Sequence, residues 1–190
     1  MSAYATLAEL KTQLRLTTST DDVELQDRLD AAKNRIDKDC GRTFDVFTGS
    51  ATQREYAITN EFTLIVDDFA AATDLAVAIG SATGSAVAST NYRIKPDNNL
   101  AKLEAAWILE TRGTYRWLLG RQTAYVTARW GWPTVPDAIH DANLLLAARL
   151  FKRKDTPWGV AGSGDMGLIR IAATDSDYRA LIDGYIRPQV

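Results

Sequence analysis

Apolar residues recur at helical spacing near both ends of the chain and at strand spacing in its middle. Leu7, Leu10 and Leu14 share one face of a first predicted helix. Thr6 and Glu9 have capping-box spacing, in which the hydroxyl takes the N3 amide and the carboxylate reaches back. Residues 17–20 are a polar break. Asp21 and Glu24 then repeat the capping spacing, with Asp21 as N-cap. Leu25, Leu29, Ala32 and Ile36 step by four, three and four, an apolar stripe along a second helix that Gly41 stops.

From Thr43 to Trp132 short apolar runs rich in β-branched and aromatic residues alternate with turn signals. The predicted strands are residues 62–66, 75–79, 92–94, 107–111 and 125–130. Residues 82–86 read as an exposed hairpin tip. Pro133 and Pro136 end this region, and Pro136 suits the first turn of a helix. That helix buries Ile139, Ala142, Leu145, Leu146 and Leu150 and ends in a basic cluster, Arg149, Lys152, Arg153 and Lys154. Residues 156–167 hold four glycines and a proline and read as a mobile loop. Residues 168–171 have the pattern of a short strand. Thr174 caps a final helix carrying Tyr178, Leu181, Ile182 and Tyr185 at i, i+3, i+4 and i+7, ended by Pro188.

The pattern predicts an α+β protein. Residues 1–42 and 136–190 form a helical core with a C-terminal docking segment, and residues 43–135 form an inserted small antiparallel β-sandwich or barrel.

Charge narrows the function classes. The 190 residues carry 22 Lys+Arg and 24 Asp+Glu, a net −2. The balance holds locally: seven basic and eight acidic groups in 1–42, eight and nine in 43–135, seven and seven in 136–190. A protein that holds DNA mainly by neutralising phosphates carries a basic surplus, which is absent here. The basic cluster at residues 149–154 fits nucleic-acid contact and helix-dipole complementation equally well. No apolar run is long enough to span a membrane, and the N-terminus lacks an export-signal pattern.

Candidate chemistry is sparse. Cys40 is the only cysteine and His140 the only histidine, so the sequence offers no disulfide and no thiolate zinc cluster. His140 lies one helical turn from Asp137 and beside Asp141, and a salt-bridged surface histidine explains it. Asp67-Asp68 in a strand point to opposite faces and suit a metal poorly; a turn at a strand end is the simpler reading. Residues 162–167 match G-x-G-x-x-G, but no strand precedes and no capped helix follows them. The sequence therefore assigns no catalytic, cofactor or metal residue. Trp130-Gly131-Trp132-Pro133 differs. Trp130 continues an alternating strand and reads as core, whereas Trp158 sits in the Gly-rich loop and reads as an interface residue.

The order of these pieces resembles a known family. The pieces are residues 4–11, then 21–25, the helix end at 35–44, the strand and turn 128–133, Val135-Pro136-Asp137-Ala138-Ile139, and the helix 144–155 with residues 157–162. The series resembles the head-to-tail adaptors (connectors) of long-tailed bacteriophages, particularly those infecting actinobacteria. The resemblance covers both ends, and residues 45–125 are only loosely similar. It implies a non-enzymatic virion protein of the neck, made in the bacterial cytoplasm. Such adaptors form a ring, twelve copies in the family, under the portal protein. They extend the DNA channel with DNA as passenger only and offer a platform to the stopper (head-closure) protein and tail, with no membrane and no cofactor. On this reading Trp158, Arg170, Tyr178, Arg179, Tyr185 and Arg187 are the candidate partner interface. Arg149, Lys152, Arg153 and Lys154 are candidates for channel or neighbour contact. Another neck protein, such as a tail-terminator-type ring protein, is the alternative, distinguished by a β core with peripheral helices.

Overall fold

A computed structural model describes residues 3–120, 123–153 and 176–188. Its contacts divide the chain into two units, Met1–Thr43 with Pro136–Val190, and Phe44–Val135.

The first unit is helical. Helix α1 spans Leu7–Leu14 behind a complete capping box: the Thr6 hydroxyl accepts from the Glu9 amide, and the Glu9 carboxylate accepts from the Thr6 amide. It ends with Arg15 in the left-handed region at φ 58°. Helix α2, Asp22–Cys40, buries Leu25, Leu29, Ala32 and Ile36 completely. Asp21 precedes it but makes no side-chain cap hydrogen bond, so the second predicted capping box does not form. Gly41 terminates it at φ 65°, and the Arg42 amide donates to the Asp37 carbonyl in a Schellman-type closure.

Helix α3 runs Asp137–Lys152 and packs against α2. Pro136 sits at its N-cap with extended ψ, one position before the predicted first turn. The buried face also differs from the predicted one. Its centre is Ile139, Ala142, Asn143, Ala147, Ala148 and Phe151, whereas Leu145, Leu146 and Leu150 are only half-buried on the flanks. Ala147 and Ala148 at the centre leave room for the facing helix, and Leu144, Leu146 and Leu150 pack at the edges of the seam. Helix α4, Ser176–Ile182, followed by a 3₁₀ turn Asp183–Tyr185, buries Tyr178 and Ile182 and packs on α3.

The second unit contains, among the described residues, two antiparallel sheets. One has the order β1(Thr52–Ala57)-β7(Thr123–Ala128)-β3(Ala76–Ile79)-β4(Ser85–Val87). The other has the order β2(Thr63–Phe69)-β6(Ala106–Thr111)-β5(Tyr92–Lys95). Alternation decides which side chains point inward: β7 reads half-buried, buried, half-buried, buried along its length. Leu64, Val66, Phe69, Tyr92 and Leu109 from one sheet and Val77, Ile79, Ala124 and Val126 from the other belong to one core. The sequence pattern missed β1 and β4. Asp67 and Asp68 lie inside β2 rather than at a turn.

Gly131 explains the Trp-Gly-Trp pattern. The Trp132 amide donates to the Asp45 carbonyl and the Phe47 amide to the Trp132 carbonyl, at 2.9 Å each. Gly131 lies at φ 121°, and a Cβ there would stand 2.7 Å from the Asp45 oxygen. Only glycine lets the two backbones meet at this point. The flanking tryptophans are both buried. Trp130 donates to the Thr52 carbonyl at 2.7 Å, and Trp132 packs on Phe44 with ring centroids 5.0 Å apart.

Candidate assembly surfaces

The reactive residue types are tied into structural bonds. His140 does not pair with Asp137. Its Nε2 lies 3.3 Å from Glu9 of α1 and its Nδ1 3.3 Å from Asp141. Burial opposes the imidazolium, but hydrogen bonds and charge from Asp141 and Glu9 outweigh it and raise the imidazole pKa. Burial pushes the Cys40 thiol up to about 12, and Asp39 adds to this, so the thiolate is not formed at neutral pH. Asp67 faces Arg54 at 2.6 Å and accepts from the Tyr56 hydroxyl at 2.9 Å, while Asp68 is buried on the other side of the strand. No cluster of three metal-ligating side chains is found among the described residues. Nor is any described helix long and apolar enough to cross a membrane.

The C-terminal helix is bonded back onto the helical unit. At the C-terminal end, the Tyr178 hydroxyl donates to Asp39 of α2 at 3.1 Å, and Arg35 closes on the same carboxylate at 2.8 Å. Burial and the neighbouring Asp39 charge hold the Tyr178 phenol well above its usual pKa. The Arg187 amide donates to the Cys40 carbonyl at 2.8 Å, satisfying one of the carbonyls that a helix end leaves open. Arg149 reaches Asp177 of α4 at 3.3 Å.

A family model of the phage gp6-like head–tail connector proteins matches residues 4–97, a span that covers α1, α2 and the first half of the β unit. The chain belongs to the head–tail connector family. The fold of this connector extends the match along the rest of the chain. A chain in the neck of an empty gene transfer agent (GTA) particle, computed with C6 symmetry, superposes with a TM-score of 0.56 at 18% identity, covering 97% of this chain and 90% of that one. A chain in the neck of a native GTA particle with C12 symmetry gives 0.54 at 19%, covering 97% and 89%. One from the virion of a native GTA particle gives 0.52 at 21%, covering 97% and 90%. No curated protein matches the sequence with significance.

The connector distributes the residues expected at its partner interface unevenly. Trp158, Arg170 and Lys154 lie outside the described residues, as do the G-x-G-x-x-G run, the 168–171 strand and the Thr174 cap. Tyr178 is buried within the helical unit, so its ring is committed to the connector's own fold. Arg179, Tyr185 and Arg187 are half-exposed on the α4 turn and tail. Of the basic cluster, Arg149 is half-buried and ion-paired, while Lys152 and Arg153 are exposed at the end of α3. Residues 176–188 pack within the helical unit, against α2 and α3. The sequence pattern did not single out the exposed apolar residues Val23, Phe62, Leu118 and Leu119. Their one signal is the pair Leu118-Leu119 next to Gly120, two adjacent leucines at a turn with no periodic partner.

Proposed function

We propose that this connector is a structural protein of the virion neck, a head-to-tail adaptor that assembles as a ring beneath the portal protein. On this reading the ring extends the DNA channel and presents a platform to the stopper protein and the tail. The helical unit serves as the connector core and the two sheets as a small sandwich inserted into it. The observation that carries the reading is the shared fold, over 97% of this chain, with a neck chain computed with C12 symmetry, joined to the family match at residues 4–97. Twelve copies follow the symmetry of that neck. Helices at both ends of the chain favour an adaptor over a tail-terminator type, whose core is β with helices at the periphery.

The charge balance supports the same reading. DNA must slide through a channel, and a wall dense in phosphate contacts would hold it. With a net charge of −2 and no basic arm, the chain provides a weak grip. The reading assigns no catalysis, cofactor or metal. Electron microscopy of purified particles tests it: a ring with this chain's density between portal and tail is expected. A neck that lacks the chain would overturn the proposal.

A further inference from the structure

The β unit carries an apolar tip anchored from beneath by a buried tryptophan. After β6 the chain turns, and Trp117 plunges into the core, 1% exposed, with its ring N–H donating to the Leu109 carbonyl at 3.2 Å. Tyr115 meets that ring edge-on at 5.3 Å. The Trp117 amide donates to the Glu61 carbonyl at 2.9 Å, which brings this loop against the start of β2. Arg116 donates to the Gly113 and Tyr115 carbonyls, and its guanidinium lies 4.8 Å over the Phe62 ring. On this anchored scaffold Leu118 is 55% exposed, Leu119 58% and Phe62 48%.

Large apolar side chains grouped on the surface are not required by the fold, and a loop already packed on the core loses less freedom than a free one when a partner covers it. The tip is also cationic. Arg112 and Arg116 stand there against the single acid Glu61 of the adjoining turn. Both arginines line an open groove with Thr90, Asn91 and Tyr115.

The start of α2 has the opposite character around the same kind of apolar residue. Val23 is 79% exposed. Asp21, Asp22, Glu24, Asp27 and Asp30 surround it in residues 21–30, against the single cation Arg28. Arg28 pairs with Glu24, and Lys11 of α1 pairs with Asp22. Asp27 is exposed one turn beyond Val23.

Given that the connector forms a ring, we propose that the tip of Phe62, Leu118 and Leu119 docks on the Val23 end of α2 in the next copy. Arg112 and Arg116 then face the acidic turn that carries Asp27. The two patches differ, so each copy offers one and receives the other, the head-to-tail arrangement that closes a ring by rotation. Opposite charge sets the orientation and speeds the encounter, while the apolar residues supply the desolvated centre.

The test uses full-length chains carrying two distinguishable tags, co-expressed with the portal protein of the same particle and imaged for rings. One chain carries Val23→Cys and the other Leu118→Cys, and a short bismaleimide joins thiols across the contact; native Cys40 is buried and stays silent. A crosslinked dimer containing both tags is expected only when the two variants are mixed. As a second arm, Arg112→Glu lowers ring yield at least tenfold, and adding Asp27→Arg restores it; circular dichroism checks that each variant is folded. Rings that form without the mixed crosslink overturn this contact and leave the neck assignment standing. So does Leu118→Cys crosslinking to itself or to the portal protein. Absence of rings from the unmodified chain overturns both.

Discussion

The two units hold themselves together by different means. The helical unit has a seam of small residues: Ala32, Ala147 and Ala148 are buried where α2 meets α3, with Leu25 and Leu29 beside them. Into that seam it admits polar groups. Asn143, fully buried, accepts from the Ala5 amide and donates to the Leu29 carbonyl, both at 3.1 Å. Lys33, also buried, pairs with Asp37 at 3.0 Å beneath the Tyr4 ring. These bonds fasten the N-terminal segment to α2 and α3. The β unit relies on volume instead. Trp117, Phe69, Leu64 and Leu109 fill its centre, and Tyr92, Tyr115 and Trp130 pack around them. A close helix seam is sensitive to orphaned polar groups, whereas an aromatic core is sensitive to truncation.

The sharpest way to break this contrast is Trp117→Ala. Removing a buried tryptophan costs about 4 kcal/mol, and here it also releases the anchor of the apolar tip. In a Trp158→Phe background, used for every fluorescence measurement here because Trp158 belongs to the helical unit, Trp107, Trp130 and Trp132 all lie in the β unit and report its unfolding. A lower urea midpoint by fluorescence with an unmoved midpoint for helical circular dichroism is expected. If both midpoints fall together, the units unfold as one, and the contrast between them has no energetic meaning.

Gly131→Ala comes next. The new methyl would meet the Asp45 carbonyl at 2.7 Å at a backbone angle that L residues rarely adopt, so the strands near Val46 and Trp132 must part. A loss of roughly 3 kcal/mol is expected, again on the fluorescence transition. A change under about 0.5 kcal/mol, the range of ordinary surface substitutions, would show that this crossing is soft.

Asn143→Ala probes the other unit. It leaves the Ala5 amide and one lone pair of the Leu29 carbonyl without their partner in a dry seam, at a cost of about 2 kcal/mol. The helical transition should shift and the fluorescence transition should not. An unchanged helical midpoint would mean that water replaces the amide and that the seam is not dry.

Sequence pattern reached the two units to different depths for the same physical reasons. A stripe of Leu25, Leu29, Ala32 and Ile36 repeats at the helical period, so α2 and its buried face could be read directly, as could the Thr6–Glu9 box and the Gly41 stop. On α3 the same logic favoured the leucines, whereas the close seam selects alanines and Asn143. Periodicity ranks residues by hydrophobicity and carries no information on how near the facing helix comes. Arg15 was invisible as a stop because its left-handed conformation, which goes with the Leu16 amide donating to the Lys11 carbonyl at 2.9 Å, is adopted without a glycine. In the β unit, β1 is almost wholly exposed, with the polar run Thr52-Gln53-Arg54-Glu55, and β4 has three residues. Neither has an apolar alternation to detect, and both owe their existence to pairing with β7 and β3. The tip of Leu118 and Leu119 escaped for a related reason: its meaning lies in the burial of Trp117 next to it, which sequence spacing does not encode.

The smallest effect concerns the link between α1 and α3. Hydrogen bonds from the Thr6 hydroxyl and amide, with His140 adding to them, hold the Glu9 carboxyl at about 2, below its ordinary 4.5. A carboxylate with a depressed pKa stabilises the fold above its unfolded pKa and loses that contribution as pH falls through the folded value. The His140 imidazole is shifted the other way, so its contribution is complete below 6.5 and fades as pH rises through the raised value. Together they stabilise the helical unit most between about pH 5 and 6.5. Both groups are partly exposed, so solvent screening keeps the effect below about 1 kcal/mol. In Glu9→Gln the helical midpoint should lose part of its fall between pH 4.5 and 2, and the decline above pH 6.5 should shrink because His140 keeps only Asp141. The fluorescence transition of the β unit should follow the same pH curve in both proteins. If wild type and Glu9→Gln give parallel helical curves from pH 2 to 8, the Thr6–Glu9–His140 chain contributes no pH-dependent stability, and the capping box acts through its neutral hydrogen bonds alone.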